Sequence, residues 1–510
     1  MTINDDLAPA SGPDPMLRRI LTRRQLMMGA FGSAAAAAVL AACGSSAKKA
    51  DAPAATDAAA PGATEPAAAP ATEAETAVTE AETAATEAET AATETAATEA
   101  VVPSAGGTNS AKFGGGGGDG TLKIGFTAPL TGPLAGFGEA NDFILAGVNE
   151  LIKDGIMLGD KSYKIEIIVK DTESSSDTAA SRAGELIIDD EVDMMLAIAT
   201  PEMINPVADQ CEANGVPCLS TLAPWQPYFF GRGGDPAVGF DWTYHFFWGA
   251  EQLVGNFVAL WDSIESNKKV GLFAPNDPDG NALSDAKTGF PAGATAGGYT
   301  IVDPGRYETL SNSFDSIISK FIDEEVEIVV GIPIPPDFAN FWTAAKQKGF
   351  NPKMVTVAKA LLFPAAIEAL GDIGNGICTE IWWTPDHPFT SSLTGMKAKE
   401  LSAEYEKSGK QWTQFVGFVH ALFEVALDVV SRAGSTDKQA IADAAAATKL
   451  DTIVGPVAYG AGGVPKNVSP TSLVGGQWQK SDGAHPFELY VTNNPLSPEI
   501  PVTGKLIPLG

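Results

Sequence analysis

From residue 121 onwards, short apolar runs alternate with stretches whose apolar positions recur every three or four residues. Residues 122–126 (LKIGF) form the first buried run. Residues 163–169, which contain KIEIIV, form the second, residues 192–197 the third and residues 217–221 the fourth. The intervening periodicity predicts helices from Thr131-Gly132-Pro133 to about Lys153, over residues 178–188, and from Thr200-Pro201 to Ala213. A second series follows Trp248. It has a helix over 250–266, strands at 269–273, 299–302, 327–331 and 354–357, and helices over 313–323, 337–348 and around 364–370. A strand at 376–383 reads as a return toward the first series, where amphipathic helices over 391–407 and 415–433 would pack. Short strands at 454–458 and 489–491 close the pattern. Strands alternating with helices of about 10–15 residues imply parallel sheets covered on both faces. The expected fold class is α/β, with two doubly wound parallel-sheet lobes joined by a multi-strand hinge. Lobe 1 takes residues 120–247 plus 380–450, and lobe 2 takes residues 248–379 plus 451–510. Ligands of such sheets bind at the carboxyl ends of the strands.

The first 120 residues follow another pattern. Arg23-Arg24 leads into an apolar run over residues 26–42, which is shorter than the roughly 20 residues a membrane-spanning helix needs. A basic stretch before a short apolar one is the pattern of an export signal, here residues 1–42. The arginine pair fits the twin-arginine route, with the general secretory route as the alternative. The run ends in Leu40-Ala41-Ala42-Cys43-Gly44, which resembles the lipobox of bacterial lipoproteins and marks Cys43 for lipidation. Residues 43–119 then read as a disordered tether of Ala, Thr, Glu, Pro and Gly. Its TEAETAA heptads lack the Leu or Ile of a coiled-coil seam. A run of five glycines, Gly114 to Gly118, reads as a flexible joint. As a coil this tether reaches roughly 50 Å.

Charge narrows the function classes. The chain has 510 residues, 63 acidic and 33 basic, for a net charge of -30. Residues 1–43 carry +1 and residues 44–118 carry -8, so -23 belongs to the remainder. A surface this acidic argues against nucleic acid, and a mean hydropathy of +0.03 excludes a polytopic membrane protein. His245, His387, His420 and His485 are scattered. The chain has no HExxH, GxSxG, Walker or CxxC motif. No enzyme, metal site or cofactor is expected. Of the cysteines, Cys43 is assigned to lipid. Cys211 and Cys218 are candidates for a disulfide in an oxidising compartment, and Cys378 is left over.

The stretch from Lys123 to Gly138, KIGFTAPLTGPLAGFG, resembles the opening of type I periplasmic binding proteins, in the branched-chain amino acid and amide-binding family of ABC importers. The segment at 167–171, GELIIDDEV at 184–192, NGVPCLS at 214–220 and the segment at 269–281 resemble later parts of the family in order. The resemblance spans about residues 121–500. It implies an extracytoplasmic receptor that closes two lobes around a small organic solute: an amino acid, an amide or a small carboxylate. Its partners would be ABC permease and ATPase subunits, with the membrane reached through the lipid anchor at its outer face. A sensor coupled to a membrane signalling partner is the alternative.

The resemblance also points to ligand-binding residues. Phe137 lies where an aromatic covers the ligand, or it packs the core. Thr200 heads the loop that holds a carboxylate, or it caps a helix. Thr221 and Ala223 end the fourth strand, and Trp225 follows Pro224, which departs from the threonine of amino-acid binders. Asn276 and Asp279 contact ligand or make the turn. Lys359 stands near the family's acidic residue for a substrate ammonium. There it would favour an anion and an apolar or aromatic acid, unless it is a solvated surface lysine. One of Trp382 and Trp383 would face the cleft.

Overall fold

The architecture is described from a computed structural model over residues 103–510. The export signal, Cys43 and residues 44–102 of the tether lie outside the described residues.

The apolar runs become strands. Lobe 1 has β1 (Thr121–Ala128), β2 (Ile156–Leu158), β3 (Lys161–Asp171), β4 (Met194–Ile198), β5 (Cys218–Thr221) and β6 (Thr243–Phe246). Lobe 2 has β7 (Lys269–Phe273), β8 (Thr300–Val302), β9 (Ile328–Gly331), β10 (Met354–Val357) and β11 (Cys378–Ile381). The chain then forms the hairpin β12 (Lys449–Thr452) and β13 (Gly455–Ala458), returns β14 (Val468–Ser469) to lobe 1, and ends with β15 (Val474–Lys480) and β16 (Phe487–Asn493) in lobe 2. The strand orders are β14-β6-β5-β4-β1-β3-β2 and β16-β15-β11-β10-β9-β7-β8. The central pairs are parallel. The β2–β3, β11–β15 and β15–β16 pairs are antiparallel. β4, β5, β9 and β10 are buried along their whole length, as strands covered by helices on both faces must be.

The chain passes between lobes at residues 247–249, after Ile381 and after Ser469. The second and third passages correct the expected boundaries. The strand at 376–383 does not return to lobe 1, because β11 is paired on both edges inside lobe 2, with β10 and β15. Residues 451–469 stay with lobe 1. There β14 pairs with β6, and the Asn467 amide donates to the carbonyls of Phe240 and Thr243. A two-residue strand leaves no periodicity to read, which is why this return was invisible in the sequence.

The helix Gln414–Ala433 is the spine of lobe 1. It is long and apolar enough to cross a membrane, yet nearly all of it is buried inside the protein. Trp383 lies on its Gly417, where a Cβ would come within 2.4 Å of the indole.

The last part of the expected tether is a folded strap. The backbone of Ser110 donates to Asp428 at 2.9 Å, the amide of Asn109 donates to the carbonyl of Glu424 at 3.0 Å, and Phe113 bridges to Ile156. The five glycines are not a free joint. Gly114 and Gly116 donate to the carbonyls of Gly155 and Asp154, and Gly117 donates to the Ser162 hydroxyl at 2.8 Å. Gly117 has φ of 65°, and a Cβ there would sit 2.7 Å from the Lys164 nitrogen. A left-handed conformation costs an L-residue about 1–2 kcal/mol before any clash. Gly117→Ala is therefore expected to destabilise the protein by about 2 kcal/mol or more in urea denaturation. A free joint would tolerate the change.

Candidate functional site

The carboxyl ends of strands from both sheets converge on a narrow cavity of about 20 Å³ between the lobes, and Thr200 and Lys359 also line a second one of about 280 Å³. Three non-glycine residues there hold positive φ: Ala199 after β4 (107°), Leu222 after β5 (80°) and Lys359 after β10 (64°). Each costs about 1–3 kcal/mol and persists only where its surroundings over-determine it. Here the strain turns Thr200, Leu222 and Lys359 into the cleft.

Lobe 1 supplies mainly apolar walls: Phe137, Leu222, Pro224 and Phe247, with Thr200 as the polar member. Trp248 lies on the first passage and Trp382 on the second. Phe247 contacts both, with ring centroids 5.1 and 5.0 Å away. Phe137 lines the cavity and packs edge-on against Phe363 and Phe415.

Lobe 2 supplies charge. The Lys359 ammonium donates to Asp277 Oδ2 at 3.1 Å and Asp279 Oδ2 at 2.8 Å. The Lys359 backbone N–H donates to Glu380 Oε1 at 2.9 Å, and the Thr379 hydroxyl donates to Glu380 Oε2 at 2.9 Å. Lys359, Asp277, Asp279 and Glu380 are all buried. Burial works to lower the Lys359 ammonium, but Asp277 and Asp279 overcome it and hold the group well above its ordinary value. Burial pushes Asp279 up to about 7. Lys359 opposes that shift, while Glu202 and Asp277 reinforce it. Burial likewise pushes Glu380 up to about 7.

Of the eight residues expected to bind ligand, the cavity brings together Phe137, Thr200, Asp279 and Lys359. The other four are engaged elsewhere. The Thr221 hydroxyl donates to the Phe246 carbonyl at 2.6 Å within the sheet. The Ala223 carbonyl meets His245 Nε2 at 2.7 Å. Trp225 lines a wider groove outside the cavity, and its indole donates to Glu251. Asn276 is exposed and donates to Glu308. Lys359 is not a solvated lysine, and it is not free to attract an anion, because two carboxylates already hold it. Asp277 is both turn and site: its Oδ1 accepts from Gly280 N–H at 2.6 Å, capping Pro278–Leu283, while Oδ2 accepts from Lys359.

Glu380, Phe247 and Trp248 were missed by the sequence reading. A lone charged residue in the otherwise uncharged run ICTEIWW was the available signal for Glu380. Cys211 and Cys218 are neighbouring free thiols rather than a disulfide. Both are enclosed in the apolar layer of lobe 1, where burial and the adjacent thiol keep the Cys211 proton on and so suppress the thiolate that oxidation requires.

Two doubly wound lobes, joined by several passages and closed over a small cavity, define a two-lobed solute-binding protein. The family model described as "Periplasmic binding protein" matches residues 121–471, and the chain belongs to that family. It is 25% identical over 354 residues to the Leu/Ile/Val-binding protein BraC3 of Rhizobium johnstonii, covering 66% of this chain and 87% of the relative. The fold is similar to the leucine binding protein LivK of Thermotoga maritima, with a TM-score of 0.60 and 18% identity, covering 73% of this chain and 99% of that one. It is also similar to an ABC-transporter solute binding protein of Rhodopseudomonas palustris in complex with 3,4-dihydroxybenzoic acid. That match has a TM-score of 0.58 and 19% identity, and covers 74% and 99% of the two chains.

The raised carboxyls give the cluster a pH signature. Up to about pH 7 the folded protein keeps protons on Asp279 and Glu380 that the unfolded chain releases nearer pH 4. The folded state therefore binds more protons in between, and the cluster's contribution to stability falls as pH rises from about 4 to 8. Lys359→Met leaves the carboxylates without their cation. It is expected to cost about 3–5 kcal/mol at about pH 8 and less at about pH 5, where the carboxyls take up protons. Urea denaturation at the two pH values tests this; equal losses at both would dismiss the arrangement.

Proposed function

We propose that this protein is an extracytoplasmic solute receptor, held to the outer face of the cytoplasmic membrane by lipid on Cys43. It captures one small organic molecule between its lobes and delivers it to the permease and ATPase of an ABC importer. The observation that carries this reading is the interlobe cavity, with walls from the strand ends of both sheets. Family membership supports it, as do relatives whose names describe leucine or hydroxybenzoate binding. Three passages between lobes allow hinge closure around a ligand. No chemistry on the solute is proposed.

Two measurements test the reading. Cys43→Ala is expected to move the protein from the membrane to the soluble fraction, because lipid is the anchor; unchanged membrane association would refute anchoring through Cys43. Small-angle scattering of the full chain, with and without the solutes that copurify with it, is expected to show compaction on binding. A particle that keeps one radius of gyration through a saturating titration would remove the receptor reading.

A further inference from the structure

We infer that the solute is a small organic cation, an ammonium with an apolar body and a neutral hydrogen-bond acceptor, rather than a carboxylic acid. The inference rests on the receptor reading and names its ligand class.

Four carboxylates surround the polar end of the cleft: Asp277, Asp279 and Glu380 from lobe 2, and Glu202 from lobe 1. The one cation among them is Lys359. With all four ionised the surplus is three negative charges, and with Asp279 and Glu380 protonated it is still one. Lys359 contacts only the Oδ2 atoms of the aspartates. Asp279 Oδ1 is buried with no protein partner, and so is Glu202 Oε2. An unpartnered buried carboxylate oxygen is costly, and a charged donor is its strongest complement.

The helix end that would favour a ligand carboxylate carries an acid of its own. Thr200 precedes the helix Pro201–Asn214, whose first-turn N–H groups favour an anion, but Glu202 of that turn brings a carboxylate of its own. A second carboxylate would meet the surplus negative charge at short range and low dielectric.

The apolar half of the cavity suits a cation as well. Phe137, Phe247, Trp248 and Trp382 line it, and aromatic faces attract ammonium groups. The indole N–H groups of Trp248 and Trp382 are buried without protein partners. A hydroxyl or carbonyl on the solute would satisfy them. This aromatic lining suits the apolar body of an organic cation.

Calorimetry of the full chain with L-leucinol, L-leucine and 4-methylpentanoate compares a cation, a zwitterion and an anion on one carbon skeleton. Leucinol is expected to bind at least tenfold tighter than leucine, and 4-methylpentanoate weakest. Asp279→Asn is expected to weaken leucinol at least tenfold. Glu202→Gln, at the cleft mouth, is expected to weaken it by a smaller factor and guards against a folding defect in the first variant. Leucine or 4-methylpentanoate binding as tightly as leucinol would overturn the inference, as would no binding of leucinol. If either acid also compacts the particle in scattering, the receptor reading stands while the cationic ligand falls.

Discussion

The ammonium of Lys359, held between Asp277 and Asp279, sets the geometry of the cleft. Burying three charges costs several kcal/mol per ion before their attraction is counted. The arrangement is tolerable because the triad is closely hydrogen-bonded and tied to its surroundings. Asp277 caps a helix with its other oxygen, and Glu380 accepts the Lys359 backbone N–H. These contacts tie together the carboxyl ends of β7, β10 and β11, so the polar wall of the cavity is rigid within lobe 2. The positive φ of Lys359 belongs to the same constraint, since the turn after β10 must direct the side chain at the aspartates.

Aromatic packing does for the hinge what the ion triad does for the wall. Phe247, Trp382, Phe415 and Phe418 interlock where two passages meet the spine helix. Phe363 stacks on Phe415 at 5.0 Å, so lobe 2 reaches this cluster when the cleft is closed. The charged triad lies wholly within lobe 2 and cannot be separated without exposing unpaired ions. Closure therefore moves one intact wall against another and does not assemble the triad itself. On this reading the charge of the site is present before the solute arrives.

Most of the fold was legible because fully buried strands leave continuous apolar runs and their helices leave a 3.6-residue period. What failed to show was short or unusual. β14 has two residues, β6 hides inside an aromatic stretch that is apolar almost throughout, and the glycine strap is composed like a linker but hydrogen-bonded like a turn. The site was half legible for a different reason. The rule of strand carboxyl ends points to Phe137, Thr200, Asp279 and Lys359, but it equally points to Thr221, Ala223 and Asn276, which the local backbone turns to other partners. The pairing of Lys359 with residues some eighty positions earlier cannot be read from spacing. That is why a lysine that looked anion-seeking in sequence is already satisfied in the fold.

The acidity of the chain illustrates why burial decides what a charge means. A net charge of -30 spread over a solvated surface is screened beyond about 10 Å at ordinary ionic strength. It bears on solubility and on what the protein avoids, but says almost nothing about the cleft. The surplus of carboxyl groups over Lys359 is three, a tenth of that total, yet it sits in a buried cleft where charge is screened far less than on the surface. Substituting any of the many exposed acids would barely change the potential a bound solute feels. The single buried lysine and its four acidic neighbours set that potential, and so the selectivity of the site rests on them.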